Sequence, residues 1–176
     1  MIEYGHLSLN AMSANSLEDL FVDGLQKIYY TEQQLEDALE ELESGAEDEE
    51  IQSAFSEHRE ETRTHIERLE EVFEAIGQDA EGKQDRVVDA MIEEHEEFTE
   101  KDPDDKVLER YNIAAGQKSE HYEIAAYGNL IPLADQLGMD DAADTLEETL
   151  REEQDALEKL SKLGEGYDYG DIPSEA

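Results

Sequence analysis

FVDGLQKIYYTEQQLEDALEEL, residues 21–42, decides the fold class. Phe21, Leu25, Ile28, Glu32, Leu35, Leu39 and Leu42 recur in alternating steps of four and three, which places them on one face of an α-helix. Glu32 stands where a hydrophobic residue belongs. A carboxylate on a core-facing stripe must be paired, neutralised or bound to a cation, because burying an isolated charge is costly.

The same pattern recurs along the chain. Asn15 or Ser16 can cap the first helix, and Ser44-Gly45 ends it. A second runs from about Asp48 to Ile76, with Gly77 just past its end. Asp102-Pro103 reads as an N-cap followed by proline at the first helical position, opening a helix that reaches Gly138, and Asp140 starts a last helix ending near Leu163-Gly164. A shorter amphipathic helix, about Asp85 to Lys101, lies between the two pairs. Pro132 is expected to kink or interrupt its helix near Gly128. No stretch reads as a strand. Short connections at Gly45 and Gly138 make two antiparallel hairpins, and the long link between them can cross the bundle, so the expected fold is an all-α, ferritin-like four-helix bundle with one crossover. Residues 1–15 read as an N-terminal extension, 16–163 as the bundle and 164–176 as a flexible tail.

Each of the other long helices repeats the anomaly of Glu32. In the second, the stripe Ile51, Phe55, His58, Thr62, His65, Leu69, Val72, Ile76 carries two histidines, with Glu61 at their shoulder. In the third, Ile113, Gln117, Glu120, Ile124, Tyr127, Ile131, Ala134 carries Glu120, with Glu123 one turn along. The fourth reads Leu146, Leu150, Glu153, Leu157, Leu160. If the first turn is centred on Gly45, Glu32 lies thirteen residues before it and His58 thirteen after, beside Glu61. A second turn centred between Gly138 and Met139 brings Glu123 to the level of Glu153, with Glu120 one turn deeper. Four helices can therefore converge on one mid-bundle level, with Glu32, His58, Glu61, Glu120, Glu123 and Glu153 as candidate metal ligands. His65 reads as structural or as a hydrogen-bonding neighbour of the site, His121 as facing away, and Tyr29 and Tyr127 as core aromatics. Carboxylates with one or two imidazoles and no thiolate suit iron, manganese or zinc.

Composition narrows the function further. The chain has 50 Asp plus Glu against 13 Lys plus Arg, a formal net charge of −37, so nucleic acid and anionic membranes are not expected partners. The acid is interleaved with apolar residues in register and reads as a solvated shell, attended by salt cations, around a folded core. A high-salt cytoplasm is the expectation that such a charge raises. The absence of cysteine excludes disulfides, thiolate metal sites and cysteine nucleophiles. No apolar run approaches a membrane span and the first residues lack the pattern of a signal peptide, so a cytoplasmic location is expected.

Residues 16–163 resemble the YciE/YciF-like stress-response family of the ferritin-like superfamily. The resemblance is carried by Tyr29-Tyr30-Thr31-Glu32-Gln33-Gln34-Leu35, by Ala54-Phe55 through His58 to Glu60-Glu61-Thr62, by Ile66-Glu67-Arg68-Leu69, by Gln117-Lys118-Ser119-Glu120-His121-Tyr122-Glu123-Ile124-Ala125-Ala126-Tyr127-Gly128, by Leu137-Gly138 and by Thr149-Leu150-Arg151-Glu152-Glu153. It implies a ferritin-like bundle, a homodimer and a dinuclear metal centre, with iron the leading metal. The usual Glu-x-x-His signature is absent: the second helix offers His58-x-x-Glu61 or Glu61-x-x-x-His65, and the fourth offers Glu152 and Glu153 without histidine. Two function classes follow, a metal-dependent oxidoreductase acting on oxygen or peroxide, and a non-catalytic structural or interaction protein with a structural metal or none.

The charge alone yields a test. Self-repulsion is expected to loosen the protein as ionic strength falls below about 0.1 M, where the Debye length exceeds ~10 Å. Circular dichroism melts over a salt series should show a falling midpoint, and a salt-independent midpoint would refute this.

Overall fold

The computed structural model describes residues 15–170 together with 172 and 174. The N-terminal extension expected over residues 1–15 lies, but for Asn15, outside them. Five helices occur in order: α1 (Leu17–Ser44), α2 (Glu49–Ala75), α3 (Arg86–Thr99), α4 (Asp105–Gln136) and α5 (Asp140–Glu165). No strand occurs among the described residues.

Local chemistry sets the boundaries. The Ser16 side chain accepts from the Asp19 N–H at the start of α1, and Asp48 accepts from the N–H groups of Glu50 and Ile51 at the start of α2. Asp85 caps α3. The start of α4 differs from the expected Asp102-Pro103: Asp104 is the cap, two residues later, and Asp102 takes a left-handed conformation with φ 53°. Pro132 does not interrupt α4, which continues to Gln136. It lies near the helix end and removes only the hydrogen bond to the carbonyl of Gly128, an exposed residue whose oxygen water can satisfy.

α1, α2, α5 and α4 pack in a ring, α1 against α2 and α4, and α5 against α2 and α4. Every neighbouring pair is antiparallel. Along α1 and α2, Glu40, Glu36 and Tyr29 meet Arg59, Arg63 and Glu70. Along α2 and α5, Glu57, His65 and Arg68 meet Lys159, Glu152 and Glu148. The link from α2 to α4 therefore spans the bundle length, and α3 packs against α1 and α4. It is strapped there by Tyr30 Oη donating to Asp89 (2.8 Å), by His95 on Asn112 (2.8 Å), and by Lys118 on Glu94 (2.6 Å).

At one end of the bundle, the buried Glu109 of α4 accepts from the backbone N–H groups of Glu47 (2.7 Å) and Asp48 (2.8 Å) and from Tyr167 Oη (2.8 Å). One carboxylate thus ties the α1–α2 loop and the end of α5 to α4. The segment expected to form a free tail from residue 164 begins inside α5, with Gly164 buried, and continues into the docked Tyr167 and Tyr169; Arg110 donates to Tyr169 Oη at 2.8 Å.

Two apolar clusters fill the interior. One, toward the α4–α5 turn, contains Phe21, Leu25, Ile28, Leu69, Phe73, Tyr127, Leu130 and Leu146. The other, toward the α1–α2 turn, contains Leu39, Leu42, Ile51, Phe55, Ile113 and Leu160. A polar layer separates them.

Glycines give opposite expectations. Gly138 ends α4 with φ 71°, so Gly138→Ala should destabilise by about 1 kcal/mol. Gly128 is exposed within the same helix and a Cβ there would meet nothing within 4 Å, so Gly128→Ala should stabilise by roughly 0.5–1 kcal/mol. Urea denaturation midpoints moving in the same direction for both variants would contradict this assignment.

Candidate metal centre

The polar layer is built from all four long helices. His58, Glu120, Glu123 and Glu153 can each bring one ligand atom to within 4.8 Å of all the others, and Glu32, His65 and Glu153 do the same. Glu153 belongs to both groups. All six side chains are buried: Glu32, His65, Glu120 and Glu153 have no exposure, Glu123 has 1% and His58 has 6%.

Of the six residues expected from sequence, Glu32, His58, Glu120, Glu123 and Glu153 meet in this layer. Glu61 does not join either group. Its carboxylate is 46% exposed and sits 3.3 Å from His58 Nδ1. His65, expected to be structural or a neighbour, takes a central place instead, with Nδ1 3.0 Å from Glu153 and 3.5 Å from Glu32. The signal for it was present in the sequence, because His58 and His65 are seven residues apart, two turns on one face of α2. It was obscured by the register of the first hairpin. Glu32 lies level with His65 rather than His58, since α1 runs to Ser44 and its residues pair with positions farther down α2 than a turn centred on Gly45 requires.

Each histidine turns one ring nitrogen into the layer and the other toward a glutamate at its edge, but the two rings use opposite nitrogens. His58 presents Nε2 to Glu120 (3.0 Å) and Glu153 (3.7 Å) while Nδ1 faces Glu61. His65 presents Nδ1 inward while Nε2 lies 2.9 Å from Glu152, which is in turn held by Arg68 at 2.5 Å and 3.1 Å. An ionised carboxylate can only accept, so the outer nitrogen of each ring is the donor, which leaves the inner nitrogen able to offer a lone pair. Tyr127 Oη donates to Glu32 Oε1.

The inward atoms lack hydrogen-bond partners. Glu32 Oε2, His65 Nδ1 and both carboxylate oxygens of Glu120, Glu123 and Glu153 are buried without one, even where a neighbouring polar atom lies about 3 Å away at an unsuitable angle. Orphaned buried polar atoms of this kind are uncommon. Atoms aimed at shared points rather than at each other are what a bound cation requires. Four carboxylates and two neutral imidazoles also balance the charge of two divalent ions, and both groups share Glu153. The donor set therefore fits a dinuclear centre.

Electrostatics reflect the crowding. Burial raises Glu123 well above the ordinary carboxylate range, and the charges of Glu153 and Glu32 add to the rise. Burial lifts Glu153 to about 7 against the lowering influence of His65 and His58. Glu32 is also raised by burial. Burial disfavours charged imidazole, but at His65 the carboxylates of Glu153 and Glu32 outweigh it and hold the ring at about 10; at His58, Glu120 likewise overrides burial.

Residues 16–167 match a family described as a domain of unknown function, DUF892. The chain belongs to this family. It is 40% identical over 154 residues to Protein YciF of Escherichia coli, covering 86% of this chain and 92% of that one. The solved structure of that stress protein superposes with a TM-score of 0.76, covering 85% of this chain and 95% of the other. YcfI from Rhodopseudomonas palustris, described as a candidate structural protein, is 38% identical, with a TM-score of 0.82 over 87% of this chain and 96% of that one. A Xanthomonas campestris protein at 20% identity and a TM-score of 0.70 shares the fold. No helix among the described residues is long and apolar enough to cross a membrane.

The raised pKa values of His65 and Glu153 set the sign of the pH dependence of the metal-free protein. His65 is raised from 6.5 to about 10 and Glu153 from 4.5 to about 7, so each favours the folded state most at low pH and loses its contribution as pH rises through the folded value. The thermal midpoint of chelator-treated protein should therefore fall as pH rises from about 5 to 9. Added divalent metal should flatten that fall, because metal takes the place of the protons. A rising or flat midpoint in the metal-free protein would contradict the assignment.

Proposed function

We propose that the chain is a ferritin-like, dinuclear-metal stress-response protein that binds iron or manganese and reacts with oxygen or peroxide. The observation that carries this reading is the set of orphaned, fully buried carboxylate oxygens converging from α1, α4 and α5 beside two histidines whose outer nitrogens are already bonded. In this reading Glu120, Glu123 and His58 would hold one ion, Glu32 and His65 would hold the other, and Glu153, which belongs to both groups, would be shared. A pair of redox-active ions would supply the electrons for reduction of a small oxidant. The chain's own contribution is placement and exclusion. Glu61 and Glu152 fix the histidine rings, Tyr127 orients Glu32, and the two apolar clusters keep bulk water from the ligands. The cavity beside His58 is about 200 Å³, which suits a small oxidant better than an organic substrate.

A non-catalytic reading is favoured by one observation, the description of the Rhodopseudomonas relative as a candidate structural protein. In that case the same ligands hold a structural metal that ties four acidic helices together. A likeness to ferritins does not extend to iron storage, which needs a closed shell of many subunits. A homodimer, with salt cations over its acidic surface in the cytoplasm, is the assembly proposed here.

Metal analysis of protein purified without added metal should give two ions per chain. Glu32→Ala should lose one and Glu153→Ala both, whereas Glu61→Ala should keep its metal with affinity weakened by roughly 10–100-fold. Consumption of peroxide by the two-metal protein supports the redox reading; two ions without turnover support the structural one. Full metal content in Glu153→Ala would overturn the site.

A further inference from the structure

The centre is not equally closed on all sides. On the α2–α5 face, His65 is shut in by Glu152, which Arg68 clamps while also reaching Glu148 and Thr149. One turn past His58 on the same face the wall is open. A cavity of about 200 Å³ lies between α2 and α5 and is bounded on its inner side by His58. It exists because Ala54 of α2 and Ala156 of α5, both small and buried, face it, with Phe55 and Leu160 forming its apolar floor. The only exposure retained by the clustered ligands, apart from 1% at Glu123, is the 6% at His58, on the cavity's edge.

The charges at the rim are asymmetric. Glu57, Glu61 and Asp155 line it against Lys159, and Lys159 is engaged by Glu57 at 2.5 Å. Glu61 bridges the two environments: it is half-exposed to the cavity and lies against the outer nitrogen of His58. An acidic rim over apolar walls concentrates cations at the one ligand that solvent can approach.

The geometry points to the α2–α5 cavity as the route by which divalent cations reach the centre, with Glu61 as the landing carboxylate and the His58 subsite as the first to fill. This rests on the dinuclear reading above. The subsite of Glu32 and His65 is then loaded from within, through the shared Glu153, and exchanges more slowly.

The test is stopped-flow uptake of Co²⁺ by metal-free protein, followed by its visible absorption, with the final stoichiometry measured after equilibration. Unsubstituted protein should load two ions in two phases. Ala156→Leu fills the cavity with apolar volume and should slow the first phase on the order of tenfold while leaving the plateau at two ions. Ala54→Leu does the same from the opposite wall and guards against a folding defect in either variant. Ala115→Leu adds equal volume to a separate groove between α1, α3 and α4 and should load at the unsubstituted rate. Unsubstituted rates in both cavity-filling variants, or equal slowing in Ala115→Leu, would overturn the route while leaving the metal centre standing. Failure of the unsubstituted protein to take up Co²⁺ would overturn the dinuclear reading and the route with it.

Discussion

Four carboxylates share a region from which water is excluded, and their mutual repulsion and lost hydration are what the rest of the bundle has to accommodate. Each buried ion costs several kcal/mol in effective desolvation, so the arrangement persists only with compensating charge. Protons on the histidines and on the carboxylates themselves provide part of it, as the upward displacement of His58, His65, Glu123 and Glu153 indicates. The surrounding structure makes that compensation local. Apolar clusters above and below prevent solvent from screening the layer, and Glu61, Glu152 and Tyr127 hold individual ligands in place.

The two histidines distinguish this centre from one built on Glu-x-x-His pairs. Both come from α2, two turns apart, and each is backed by a glutamate at the edge of the layer, Glu61 of α2 and Glu152 of α5. Glu152 is clamped by Arg68, whereas Glu61 is half-exposed at a cavity edge. A chemically near-symmetric donor set thus sits in an asymmetric enclosure. The relatives include a stress protein and a candidate structural protein, and a centre with one guarded and one approachable side is compatible with a reactive or an anchoring use.

How much of this was legible in the sequence depended on turn geometry. The second hairpin turns tightly at Gly138 with φ 71°, and Glu123 and Glu153 meet as expected from a centre beside that glycine, with Glu120, a turn away along α4, reaching the same group. The first hairpin has no such turn. Gly45 has φ −86°, the chain runs on through Asp48 before α2 begins, and Glu109 draws that loop over the bundle end, so the register moved and His65 replaced Glu61 in the layer. The stripes on α4 and α5 were also rotated by about one residue. Gly116, Glu123 and Leu130 are buried in preference to Gln117, Ile124 and Ile131, and Thr149 and Ala156 in preference to Leu150 and Leu157. On α4, α3 also covers a second side of the helix, through Tyr111, Asn112 and Lys118, so burial there does not follow a single apolar stripe. The overall all-α bundle survived these slips because helix number, length and hairpin order do not depend on register.

The antiparallel ring has a further consequence for the polar layer. Glu32, His65, Glu120 and Glu153 all lie well inside their helices, several turns from any terminus. The partial charges of a helix act within its first and last turns, and here adjacent helix axes point in opposite directions. The backbone therefore contributes almost no field at the middle of the bundle. Unlike an anion cradled at a helix N-terminus, this acidic layer can draw on side chains, protons and bound cations alone, and its occupancy should respond to whatever ions the surrounding solution offers.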